Sequence, residues 1–273
     1  MATLLQKIAR LAVTTFRRDP RLTPGAYKTH YDQLSDLLAR ITPADLKLDP
    51  ALLQDRGPFN PRRDGAPVTY MQIYEDLDVT ICVFILKRGV RLPLHDHPGM
   101  CGLLKVVHGA VSIQSYSFLG DGNGQQQNNG IPHPSTTTTM PSHHQGLLAA
   151  TKHPTIITSA NDPACRLSPG ENNLHEIHSL NGTAAFLDIL SPPYGMDDRL
   201  GYERDCHYYR ELDILPPGFG GGLEEGYEMG DGEGSSEGPT VLLCRVETPS
   251  DFWCDQAEFK GPPVLVDGNN GSL

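Results

Sequence analysis

The chain has 273 residues and a formal net charge of −11, from 22 Lys and Arg against 33 Asp and Glu. Its 28 glycines and 23 prolines exceed the roughly 12% share usual for these two residues, which excludes a mostly helical bundle because both interrupt helices. The acidic balance, heaviest after Gly201, argues against nucleic acid or an anionic membrane as partner. No apolar run approaches the roughly 18 to 20 residues needed to cross a bilayer.

The first eighteen residues carry four basic side chains and no acid. Mitochondrial transit peptides and ordinary amphipathic helices share that composition. Leu4, Leu5, Ile8, Leu11 and Ala12 fall on one helical face, and a second helical pattern follows from Tyr31 to Ile41. The closeness of the two patterns favours a folded helix and a cytoplasmic protein. Thr42 is placed as the N-cap of a third short helix, so the helices are expected within residues 1–48.

From Pro67 the texture changes. VTYMQIY, DVTICVFIL, GLLKVVHG and AVSIQSYSF are short β-branched runs separated by Gly, Asp or Pro, and Gly109 falls at an expected hairpin turn. Residues 120–146 hold almost no large apolar side chain, and burial there cannot offset the entropy of ordering, so a disordered insertion is expected. A second insertion is expected over 216–239. Further strands are placed at 146–151, 155–159, 173–178, 184–190 and 206–212, and TVLLCRVE closes the sheet. The six cysteines show no paired spacing, which suits free thiols in a reducing compartment better than a disulfide frame. The expectation is a single all-β domain over residues 1–273, a β-sandwich or jelly-roll barrel with short N-terminal helices, acting as a monomer.

The sharpest local signal is LeuProLeuHis95AspHis97ProGlyMet. In a strand, residues i and i+2 project from the same face, so both imidazoles can reach one ion. Gly89 lies six residues before His95 and Gly109 twelve after His97. That spacing resembles the first cupin motif, Gly-x5-His-x-His-x(3,4)-Glu-x6-Gly, except that the glutamate position falls on Cys101 or Gly102. A third histidine is expected from a later strand. His175, which follows a Pro-Gly turn in SerProGlyGluAsnAsnLeuHis, is preferred to His178, which would project from the opposite face. His133, His143, His144 and His153 read as solvated, His108 as adjoining a turn, His30 as a helix-surface residue, and His207 as facing away from its two neighbours. Three imidazoles without a carboxylate depart from the usual facial triad of non-haem iron oxygenases. They leave the iron charge uncompensated and so favour an anionic ligand such as a thiolate. A zinc site with Cys101 as a fourth ligand is the competing reading, and a non-catalytic metal- or ligand-binding cupin is another.

HDHPGM, GLLKVVHG, NNLHEI, AAFLDILSPPY and RDCHYYR occur in that order. Together they resemble the family of cysteamine (2-aminoethanethiol) dioxygenase and the plant cysteine oxidases, from about Tyr70 to Arg210. DFWC at 251–254 and LLQKIARLA near the start also resemble the animal members. The resemblance implies a cupin fold, one mononuclear Fe(II) held by His95, His97 and His175, and O2-dependent conversion of a thiol to a sulfinic acid. Cysteamine and proteins exposing an N-terminal cysteine are the implied substrates. Cys101 after HPGM, the longer GMDDRLGYE loop and both insertions depart from the family pattern, which bears on substrate preference rather than on the metal. Cys206 and Tyr208 share one strand face, as a cross-linked thiol and phenol or as two packed side chains. Asp188 lies inside an apolar run, where a carboxylate is costly unless paired. It is expected to orient a ligand histidine, bond the following turn or receive a substrate ammonium. Tyr194, in a SerProProTyr turn suited to a cis proline, is expected to border the thiol pocket.

Overall fold

The computed structural model describes residues 2–17, 23–119, 147–197, 201–212 and 238–266. The insertion expected over 120–146, and that over 216–239 as far as residue 237, lie outside them, as do His133, His143 and His144. No helix among the described residues is long and apolar enough to cross a membrane.

Helix α1, Leu4–Phe16, is capped by the Thr3 side chain, which accepts from the backbone N–H of Gln6. It buries Leu5, Ile8, Ala9, Ala12, Val13 and Phe16. This face is rotated slightly from the expected one and packs on the barrel, so the segment is part of the folded core. Complete burial of a side chain such as Ile8 contributes about 1.5–3 kcal/mol. Helix α2, Pro24–Leu38, starts seven residues before the hydrophobic pattern suggested. Thr23 caps it and Pro24 presets its first turn, polar signals that apolar periodicity does not register. Thr42 begins a single turn, not a helix. Asp45 accepts from its backbone N–H, but Lys47 has a φ of 54°, which ends the right-handed path. Two one-turn helices follow, α3 (Pro50–Leu53) and α4 (Pro61–Asp64), both beyond the expected limit of 48.

The strands in chain order are β1 (Val68–Glu75), β2 (Thr80–Leu86), β3 (Arg91–Asp96), β4 (Cys101–Phe118), β5 (Leu147–Lys152), β6 (Ile156–Ser159) and β7 (Cys165–Leu167). They continue as β8 (Leu174–Ser191), β9 (Gly195–Asp197), β10 (Tyr202–Arg204), β11 (Tyr208–Glu211), β12 (Thr240–Val246) and β13 (Cys254–Gln256). β9 and β10 form a separate ribbon. β8, β3, β11, β12, β5 and β4 are successive neighbours, and β4 pairs back onto β8, which closes a ring. This is the all-β, double-stranded β-helix (cupin) architecture. β1 and β2 extend it on one side, and β6 and β7 lie along the outer edge of β4.

The hairpin expected at Gly109 does not form. GLLKVVHG and AVSIQSYSF are one strand of 18 residues, β4, antiparallel to the 18-residue β8 along nearly its whole length. The pairing slips between Val106 and Ala110, a bulge that re-aims the strand from one sheet of the barrel to the other. Gly109 serves that bend with a φ of 67°. A Cβ there would lie 2.4 Å from the Thr183 carbonyl oxygen, so the glycine permits a close backbone approach. Leu86, Val106, Val111, Ile113, Ile177 and Phe186 fill the barrel interior. Leu103, Leu187 and Ile189, on the opposite face, bind α1 and α2.

Candidate metal centre

β3 pairs with both β8 and β11, so His95 lies opposite His175 on one side and Tyr208 on the other. Residues directly opposite one another project from the same face, and the row Tyr208–His95–His175–Ser115 therefore points into the barrel. His97 joins it from the end of β3, where its backbone N–H donates to the Asn173 carbonyl. The β3–β8 register shifts between Leu92 and His95, where Pro93 cannot donate to the ladder.

The three imidazoles are 7%, 1% and 5% exposed for His95, His97 and His175. One nitrogen from each lies within 4.8 Å of the others, and Nε2 of His97 is 3.2 Å from Nε2 of His175. Burial depresses the proton affinity of all three, and their mutual repulsion as cations depresses it further for His97 and His175. They are held in the neutral form that donates to metals. Outer contacts set which nitrogen is free. His95 Nδ1 donates to the Pro93 carbonyl at 2.8 Å. His97 Nδ1 meets the Tyr194 hydroxyl at 2.8 Å, which itself donates to the Asp96 carbonyl at 2.6 Å. Both histidines thus aim Nε2 inward, the arrangement by which proteins orient ligand imidazoles. With Nε2 of His95 and His97 turned inward and Nε2 of His175 3.2 Å from that of His97 in a buried site, the three residues fit a bound metal.

Asp96, between the two histidines, points the other way. Its carboxylate accepts from the His207 backbone at 2.8 Å, His207 Nδ1 at 3.1 Å and the Tyr209 hydroxyl at 2.9 Å. This locks β3 against β11, and sequence reasoning assigned it no role. Arg204 was likewise missed as a brace. Its buried guanidinium donates to the Pro98 carbonyl at 3.0 Å, the Pro193 carbonyl at 3.0 Å and Asp197 at 3.1 Å, tying the HPG turn to the SerProProTyr turn. The Ser191–Pro192 bond in that turn is cis, as the sequence suggested.

Cys206 precedes β11 with its thiol in contact with both Tyr194 and Tyr208. Burial first, then the Asp96 carboxylate, push the thiol up to about 12. Tyr194 reaches the site through His97. Asp188 projects inward with Phe186 and Ala184, across from Cys82. Burial raises its carboxyl to about 7, and Oδ1 has no hydrogen-bond partner among the described residues. Cys101 is outside the histidine cluster and makes a contact with Tyr27 on the helix-facing side of β4, which removes the four-ligand zinc arrangement. His178 projects outward, half-exposed beside Glu176, as expected. His153 is half-buried and bonded to Ser117 at 2.7 Å, rather than solvated.

The fold and the site define a cupin barrel with three buried histidines fit to hold a metal. The PCO_ADO family model matches residues 37–264. The chain is 36% identical to the 2-aminoethanethiol dioxygenase of Mus musculus over 274 residues, 97% of this chain and 98% of that one. Identity to the Homo sapiens 2-aminoethanethiol dioxygenase is also 36%, over 97% of this chain and 98% of that protein. Plant cysteine oxidase 2 of Arabidopsis thaliana is 28% identical over 85% of this chain and 73% of its own length. The chain belongs to the PCO_ADO family of thiol dioxygenases and is an oxidoreductase.

Proposed function

We propose that this single cupin domain is an Fe(II)- and O2-dependent dioxygenase that converts the thiol of cysteamine, or of an N-terminal cysteine on a protein, to the sulfinic acid. The overall step is R–SH + O2 → R–SO2H, with both oxygen atoms added to sulfur. The carrying observation is the buried cluster of His95, His97 and His175, three neutral donors with no carboxylate among them. One mononuclear Fe(II) held by these residues supplies the redox chemistry through which O2 reacts with a thiolate.

The remaining roles belong to the chain. An all-neutral ligand set favours the thiolate form of the substrate, because the metal charge is not cancelled by the protein. Asp188, whose inward Oδ1 has no partner among the described residues, receives the substrate ammonium, and the ion pair holds its carboxylate charged. Tyr194 positions His97, and Cys206 and Tyr208 border the reacting sulfur from the β11 side. Anaerobic loading with Fe(II), metal analysis and then oxygen uptake with cysteamine and a Cys-initiated peptide test the reading. Sulfinate formation stoichiometric with oxygen is the expected result. Activity with zinc in place of iron, or no oxygen uptake on any thiol, overturns it.

A further inference from the structure

A cavity of about 1120 Å³ opens beside His175 and is walled by Ser115, Ile113, Ile156, Cys165 and Leu167 among others. Pockets for drug-sized ligands span roughly 300–1,000 Å³, and cysteamine has only a two-carbon skeleton. The space beyond the thiol therefore has room for a longer occupant.

The sheet register describes its floor. His175 pairs with Ser115, and Ile113, two residues along β4, pairs with Ile156. His175, Ser115, Ile113 and Ile156 thus share one face of the sheet and form a strip from the metal site to its edge. β6 is the last strand in the sheet order, and Ile156 is 44% exposed there. The edge is held firmly. The buried Lys105 ammonium donates to the backbone carbonyls of Ala160 and Asp162, and the Asp162 carboxylate bonds the Ser159 backbone and hydroxyl. A rim fixed in this way costs little to order when something binds it.

We propose that Ile156 is a specificity subsite for an apolar side chain a few residues downstream of the N-terminal cysteine of a polypeptide substrate. The inference rests on the thiol-oxidation reading above. From His175 to Ile156 is two strand spacings across and two residues along, a distance of about 12 Å. An extended peptide covers roughly 3.3–3.6 Å per residue, so its fourth residue reaches Ile156 from a sulfur at the histidines. At the outer end of this strip Ile113 and Ile156 present only hydrocarbon, which selects a hydrophobic side chain at that point. Small thiols do not reach it.

The test uses iron-loaded full-length protein with cysteamine, a Cys-Gly dipeptide and two hexapeptides that differ only in Leu or Ser at positions four and five. Wild type is expected to favour the Leu hexapeptide in kcat/KM by about tenfold, the order given by burying part of one such side chain. Ile156→Glu abolishes that preference through KM and leaves cysteamine and the dipeptide within about twofold. Ile156→Leu restores the preference. Equal rates for the two hexapeptides in wild type, or an equal loss on cysteamine in Ile156→Glu, overturns the subsite while leaving the dioxygenase reading intact. Failure on every thiol overturns both.

Discussion

The Tyr194 hydroxyl bridges His97 Nδ1 at 2.8 Å and the Asp96 carbonyl at 2.6 Å, so one phenol sets both the tautomer and the angle of an imidazole in the candidate metal site. Tyr194→Phe keeps the ring and removes the bridge. Groups that orient ligand histidines are worth about 10–100-fold in metal affinity, and a loss in that range is expected from competition with a chelator. Unchanged affinity would leave Tyr194 without this role.

His175→Ala is expected to remove most bound iron, and His95→Ala or His97→Ala likewise, since each takes a third of the protein donors. His178→Ala leaves iron near the wild-type level, because that side chain is turned outward beside Glu176. Elemental analysis of protein loaded under identical conditions reads the difference. The reverse pattern for His175 and His178 would refute the ligand assignment.

Asp188 makes stability depend on pH. Its folded carboxyl titrates near 7, above the ordinary value of 3.8. Below about pH 4 both folded and unfolded chains hold the proton, and the group contributes no penalty. As pH rises towards 7 only the unfolded chain releases it, so stability falls, and above 7 the penalty levels off at about 4 kcal/mol. Asp188→Asn lacks this term. In metal-free protein the variant is expected to gain stability over wild type from pH 4.5 to pH 8, measured by denaturant unfolding. A constant difference across that range is the contrary result.

Asp96→Ala strips the acceptor from the His207 backbone, the His207 ring and the buried Tyr209 hydroxyl. Orphaning buried donors costs about 1–3 kcal/mol each, and a total loss near 3 kcal/mol is expected in urea unfolding of the metal-free protein. A loss below about 1 kcal/mol would mean that water replaces the carboxylate fully.

Free cysteine is expected to turn over at least about tenfold more slowly than cysteamine or a Cys-initiated peptide, one tenfold step being about 1.4 kcal/mol. In the proposed binding mode, with the ammonium at Asp188, its carboxylate lies beside a buried acid, where like charges oppose each other. Arg204 is occupied by Pro98, Pro193 and Asp197, and Arg166 lies 5.0 Å over the Tyr31 ring. Sulfinate yields from the three thiols at equal concentration, read by mass spectrometry, make the comparison. Comparable yields would mean that the carboxylate finds a cation.

Local chemistry in the sequence determined the strand-rich class, both N-terminal helices and the pair His95 and His97, because alternation, capping and i, i+2 spacing act within a few residues. His175 was legible from the Pro-Gly turn before it and from face parity against His178. Tertiary structure decided the rest. Whether Gly109 turns a chain back or merely bends it depends on the Thr183 carbonyl, 74 positions away in sequence and in close approach across β4 and β8. Asp96 could be read as a lock between β3 and β11 only once those strands lay side by side, and Arg204 as a brace only once two turns had met. The cavity floor from His175 to Ile156 exists because β4 is paired on both edges at once. Such relations come from strand pairing between distant segments, which no local pattern encodes.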